Sequence, residues 1–154
     1  MSKASHAARS ATVVYVEDQP VNVLLMQALF GRRPDLLLLV ATTGHEALAL
    51  VQGLRPDLLL LDIRLPDCLG TELLPMLRAH PGCRHVPAVA VTAEHHFRID
   101  GTGFGEVWTK PLRIEKVLGR LAALVPAEAT AAAAHDPALG AERARPVEAA
   151  HAWR

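Results

Sequence analysis

The strongest constraint on this chain is an octapeptide that it carries twice, RPDLLLLV at 33–40 and RPDLLLLD at 55–62. In each copy an Arg-Pro-Asp turn signal precedes four consecutive leucines. That pattern reads as a strand buried on both faces, as in a parallel sheet covered by helices. The copies differ only in their last residue, Val40 against Asp62. Such a strand therefore needs no acid at its end, and chemistry rather than folding is the better reason for Asp62. In open α/β sheets the site lies just beyond the carboxyl ends of the strands, where Asp62 would sit. An exposed loop aspartate is the plainer alternative.

The rest of the chain alternates in the same style. ATVVYV at 11–16 reads as a first buried strand, followed at once by Glu17 and Asp18. Pro20 suits the first turn of a helix, and Val21, Leu24, Leu25, Ala28 and Leu29 recur at helical spacing until Gly31. Pro34 opens the second strand. Thr43 can cap a second helix with Ala47, Leu50, Val51 and Leu54 on one face. After Asp62 and its loop, Leu73, Leu74 and Leu77 mark a third helix, expected to start near Thr71 or Glu72 so that Pro75 falls in its first turn. PAVAVT at 87–92 and EVWT at 106–109 read as the fourth and fifth strands. Ile114, Val117, Leu118, Leu121 and Val125 line a last helix. Strand-helix alternation favours a doubly wound α/β fold with right-handed crossovers. Between Thr92 and Glu106 the segment AEHHFRIDGTGFG has three glycines and no full helical stripe, so at most a turn or two of helix is expected there, in a mobile loop. Residues 1–10 read as a flexible polar lead-in, 11–125 as the folded domain, and 126–154 as an alanine-rich tail, disordered or weakly helical.

Charge and cysteine content narrow the function. Lys+Arg and Asp+Glu balance at 16 each, so bulk charge makes no case for nucleic acid or an anionic membrane as partner. The two cysteines, Cys68 and Cys83, match no metal spacing and suit a reducing compartment. With no apolar run of membrane length and no secretory signal, the expectation is a soluble cytoplasmic protein.

The polar residues that end strands are Glu17 and Asp18 after the first, Asp62 on the third, Thr92 on the fourth and Lys110 after the fifth, so all converge on one sheet edge. Three clustered carboxylates repel, each pair at ~4 Å costing on the order of 4 kcal/mol at an effective dielectric of about 20. They call for a cation, and oxygen-only ligands with room for water suit Mg²⁺. Lys110 and Thr92 are left to hold an anion. Taken singly, Lys110 reads equally well as a structural partner of Asp62, Thr92 as an ordinary strand-end hydroxyl, and Glu17 and Asp18 as acids favoured by a helix dipole. His95 and His96 read as solvated loop histidines, and GTGFG at 101–105 as a turn, since it precedes a strand rather than opening a helix.

These motifs, VEDQPVN, LLLLDIRLPDCLG, VTA and TKPL, occur in the right order on the right elements, and over 12–124 the chain resembles the response-regulator receiver domain of two-component signalling. The resemblance implies a flavodoxin-like five-stranded parallel sheet of order 2-1-3-4-5, Mg²⁺ as cofactor, and Asp62 as acceptor of a phosphoryl group. The donor would be a phosphohistidine of a sensor histidine kinase or histidine phosphotransfer protein. By the same resemblance Asp18 binds Mg²⁺ directly, Glu17 directly or through water, and the Arg64 backbone carbonyl completes the protein ligands. Thr92 and Lys110 contact the phosphoryl oxygens, and the Lys110–Pro111 bond is expected cis.

Two departures from that pattern matter. Val107 stands where the family usually carries the Tyr or Phe whose inward turn reads out phosphorylation, and alternation puts its neighbour Trp108 on the opposite face. The stretch between Thr92 and Lys110 is short by about one helical turn, so the fourth helix of the family is expected shortened or disordered. Arg64 and Glu94 stand at positions that in the family flank the path of the hydrolytic water, and by that resemblance their pairing would slow dephosphorylation. Two other classes compete. One is a receiver-like interaction module without regulated phosphorylation. The other, ranked last, is a phosphatase of the haloacid-dehalogenase kind, which wants an acid where Arg64 stands. Self-association into a homodimer stays open.

Overall fold

The structure, a computed structural model, describes residues 10–126. The expected lead-in and alanine-rich tail lie outside the described residues, apart from Ser10 and Pro126. Five parallel strands, β1 (Ala11–Val16), β2 (Leu36–Ala41), β3 (Leu58–Asp62), β4 (Ala88–Thr92) and β5 (Glu106–Thr109), form one sheet in the order 2-1-3-4-5. Helices α1 (Pro20–Phe30), α2 (Gly44–Leu50), α3 (Gly70–Arg78) and α4 (Ile114–Leu124) cover it. This is the doubly wound, flavodoxin-like arrangement. No helix among the described residues is long and apolar enough to cross a membrane.

Strand alternation divides the core in two. Val13, Tyr15, Leu58, Leu60, Val89, Val91 and Trp108 pack with Met26, Leu29 and Phe30 of α1 and Val117 and Leu121 of α4. Val14, Val16, Leu59, Leu61, Ala88 and Ala90 pack with Ala47 of α2, Val51 just past its end, and Leu73, Leu74 and Leu77 of α3. Every residue of β3 and β4 is buried, as apolar runs between two helical layers demand. Thr43 caps α2 as expected, its hydroxyl accepting from the Glu46 N–H at 3.0 Å.

Two helix expectations are corrected. Val21 and Leu24 of α1 are 77% and 64% exposed, and the buried residues are Met26, Leu29 and Phe30. This helix is apolar nearly all round, so spacing alone fits more than one face, and the bulkier Met26 and Phe30 take the inner one. Helix α3 starts at Gly70, so Pro75 lies in its second turn. A Cβ on Gly70 would stand 2.5 Å from the Asp62 carbonyl oxygen, and its N–H donates to the Ile63 carbonyl at 2.8 Å. That close approach fixes the helix start; Pro75 then leaves the Thr71 carbonyl without its intrahelical donor.

Between β4 and β5, residues 93–105 make turns and bends and no helix. The segment is nonetheless packed. Phe97, Ile99 and Phe104 lie on the α3 side of the sheet, with the rings of Phe97 and Phe104 edge to face at 6.4 Å. Gly101 and Gly103 supply positive φ angles of 72° and 87° that other residues rarely adopt. Arg78, at the end of α3, donates to the carbonyls of Cys83, Arg84, Val86 and Gly103 and so ties the segment's far end to that helix.

Candidate functional site

The five strands run parallel, so their carboxyl ends share one edge, and the polar strand-end residues meet there. Glu17, Asp18 and Asp62 each place a carboxylate oxygen within 4.8 Å of the others. Glu17 and Asp62 are buried, at 0% and 6% exposure, while Asp18 is half-exposed. The Lys110 ammonium bridges two of the three acids, 2.7 Å from Glu17 Oε2 and 3.1 Å from Asp62 Oδ2. The Lys110–Pro111 bond is cis.

Each carboxylate is held. Glu17 Oε1 accepts from the Gln19 N–H at 3.1 Å, and Oε2 accepts from the Tyr15 hydroxyl at 3.1 Å as well as from Lys110. Asp62 Oδ1 accepts from the Arg64 N–H at 3.2 Å. Asp18 accepts from the Gln19 side-chain amide at 3.4 Å. The loop after β3 is closed by the antiparallel bridge Arg64–Leu69 and by the Leu65 N–H donating to the Cys68 carbonyl at 3.1 Å. Asp67 in that loop accepts from the Gly44 and His45 N–H groups, both at 2.9 Å, and so anchors it to the start of α2.

The charges feel one another. Burial, then the charge of Glu17, raises the Asp62 carboxyl above its ordinary range, against the pull of Lys110 and the Arg64 N–H. Burial alone would lower the Lys110 ammonium; the bond to Glu17 and the charges of Asp62 and Glu17 outweigh it and raise it. Burial, then Glu17, drives the Tyr15 phenol up. Three carboxylates against one ammonium remain a cation site by charge, and the all-oxygen donor set suits a hard divalent ion. Both cysteine thiols are pushed up by burial, which disfavours the reactive thiolate.

Thr92, 2% exposed, ends β4 beside Asp62's strand. Its hydroxyl accepts from the Glu94 N–H at 3.0 Å, and its carbonyl accepts from the Lys110 N–H at 2.8 Å. Arg64 and Glu94 pair across the site mouth, Nε and Nη2 both 2.7 Å from Oε1. Val107 is half-buried against the α3 side, and Trp108 is buried on the other face. His95 and His96 are exposed. The sequence reading missed Tyr15; the available signal was a lone phenol in an aliphatic strand, two residues before an acid.

A parallel sheet of this order, with an acid cluster and a lysine meeting at its carboxyl edge, defines a doubly wound α/β protein whose strand ends gather three carboxylates and one ammonium at a single site. Within that class the chain belongs to the family described as the response regulator receiver domain, whose pattern matches residues 13–121. It is 36% identical over 119 residues to the probable transcriptional regulatory protein TcrX of Mycobacterium tuberculosis, covering 74% of this chain and 49% of TcrX. It is 38% identical over 82 residues to the polar-differentiation response regulator DivK of Brucella anthropi, covering 53% and 66% of the two chains. The chain thus spans about half the length of TcrX and two thirds of DivK. Among solved structures it is similar to the receiver domain of the sensor histidine kinase PA1611 of Pseudomonas aeruginosa, with a TM-score of 0.67 and 25% identity, covering 75% and 97% of the chains. That structure has a magnesium ion coordinated in its active-site cleft. Membership assigns a signalling domain rather than a conventional enzyme.

Proposed function

We propose that the domain at 11–125 accepts a phosphoryl group on Asp62 in a two-component or phosphorelay system, from a phosphohistidine of a sensor histidine kinase or histidine phosphotransfer protein. The observation that carries this reading is the Lys110 bridge between Glu17 and Asp62 inside a cluster of three carboxylates. Asp18, Asp62, the Arg64 backbone carbonyl, and Glu17 directly or through water would hold Mg²⁺. When bound, Mg²⁺ supplies positive charge to the phosphoryl oxygens. An Asp62 carboxylate oxygen attacks phosphorus as the phosphorus–nitrogen bond breaks and the imidazole leaves with the electron pair. Lys110 and the Thr92 hydroxyl meet the phosphoryl oxygens, so the barrier falls mainly through positioning and charge. In this reading the chain works in the cytoplasm, where ATP supplies a kinase-made donor.

Incubation with Mg²⁺ and phosphoramidate, followed by intact mass, tests this. One phosphate adduct is expected on wild type and none on Asp62→Asn. The alternative, an interaction module without regulated phosphorylation, draws on Val107 in place of a switch aromatic and on the helix-free 93–105 segment. Absence of both adduct and Mg²⁺ binding would decide for it. The Arg64–Glu94 pair slows hydrolysis in this reading. Because Arg64 is largely solvated and Glu94 partly so, Arg64→Ala is expected to speed dephosphorylation by only about two- to fivefold, and equal rates would retire the idea.

A further inference from the structure

The Tyr15 hydroxyl takes no part in the chemistry above, yet it reaches the cluster from inside the sheet. The fully buried side chains of β1, β3 and β4 short of the strand ends are otherwise aliphatic. A hydroxyl in such a place costs stability unless it is hydrogen-bonded. Tyr15 and Glu17 are two residues apart and so share a face of the strand, and the hydroxyl donates to Glu17 Oε2 at 3.1 Å.

Glutamate has one more rotatable bond than aspartate, so a Glu ligand needs more restraint to meet an ion in one geometry. Gln19 N–H holds Oε1, and Tyr15 and Lys110 share Oε2. Lys110 is not a constant partner, because it also faces Asp62 and, in the proposed function, engages the incoming phosphoryl oxygens. Tyr15 is the donor that remains on Oε2 when Lys110 is drawn away. We propose that Tyr15 is a positioning residue that fixes the Glu17 carboxylate for Mg²⁺ binding, an inference that rests on the phosphoacceptor reading.

Calorimetric Mg²⁺ titration of Tyr15→Phe, which keeps the ring, tests it within a double-mutant cycle. Outer-shell partners of metal ligands contribute roughly tenfold or more to affinity. Tyr15→Phe is therefore expected to weaken Mg²⁺ about tenfold, while phosphoramidate uptake at saturating Mg²⁺ stays within about twofold of wild type. In the Glu17→Gln background the same change is expected to move Mg²⁺ affinity by less than about twofold. Unchanged or tighter Mg²⁺ binding by Tyr15→Phe overturns the proposal, as does an equal loss in both backgrounds. The mass adduct decides the function and the Mg²⁺ heat decides Tyr15, so either can fail alone.

Discussion

The two copies of RPDLLLL occupy unlike places in one sheet. In register with β1, Tyr15 pairs with Val40 of the first copy and with Leu60 of the second. The second copy is therefore displaced two residues toward the carboxyl edge, roughly 7 Å at strand rise. Parity is kept, so matching leucines face the same layer, but Asp62 is lifted clear of the rung where Val40 sits. Burial differs as well. The strand of the second copy, Leu58–Asp62, is buried throughout at the centre of the sheet, whereas the first copy lies at the sheet edge with Leu37 48% exposed. The turn acids are held in both frames: Asp35 pairs with its own Arg33 at 2.6 and 2.7 Å, and Asp57 accepts from the β1 N–H of Thr12 at 2.8 Å. Identical residues thus make a site in one frame and an edge in the other. A strand-end acid joins a charged cluster through what the neighbouring strands bring to it.

The largest effect should come from moving the acid. Val40→Asp in an Asp62→Asn background should give no phosphate adduct by intact mass, since its rung lies below the cluster; an adduct there would break the comparison. Next in size, Leu59→Ala should lower unfolding free energy by about 3 kcal/mol, and its counterpart Leu37→Ala by less than about 0.5 kcal/mol, measured in urea. Comparable losses would mean that edge and centre are equally packed. Asp57→Ala should cost about 1–2 kcal/mol by withdrawing the acceptor of the Thr12 N–H, against less than about 1 kcal/mol for Asp35→Ala. The smallest effect is acidic. Arg33 holds the Asp35 carboxyl below its ordinary value. A lowered folded-state pKa adds stability above the unfolded pKa, and that stability is lost as the pH falls through the folded one. Wild type and Asp35→Asn should therefore differ in melting temperature near neutrality and converge once the pH has fallen below the ordinary carboxylate range. A constant difference would remove Asp35 from the account.

Much of this could be read from the chain, and the exceptions have physical causes. Apolar runs closed by Asp62 and Thr92 announce buried strands because a two-sided sheet tolerates little else. The acid pair, Asp62, Thr92 and Lys110 were legible because parallel strands deliver their ends to one edge. The inner face of α1 was not, since its sequence offers apolar residues on every side. The start of α3 depends on the Gly70 backbone meeting Asp62, a contact invisible to periodicity. Tyr15 escaped because a phenol in a strand passes for core, and only its hydrogen bond to Glu17 distinguishes it. In 93–105 the glycines suggested looseness, while the packing of Phe97, Ile99 and Phe104 needed the fold to appear.

Arg78 carries a consequence for that segment that is best stated as chain entropy. By holding the Gly103 carbonyl, with Phe104 buried beside it, α3 pins the loop near β5 and leaves a shorter span next to Thr92. Closure entropy grows with the length of the free span. Rearranging the residues next to Thr92 therefore costs less closure entropy than it would in a loop running untethered from β4 to β5.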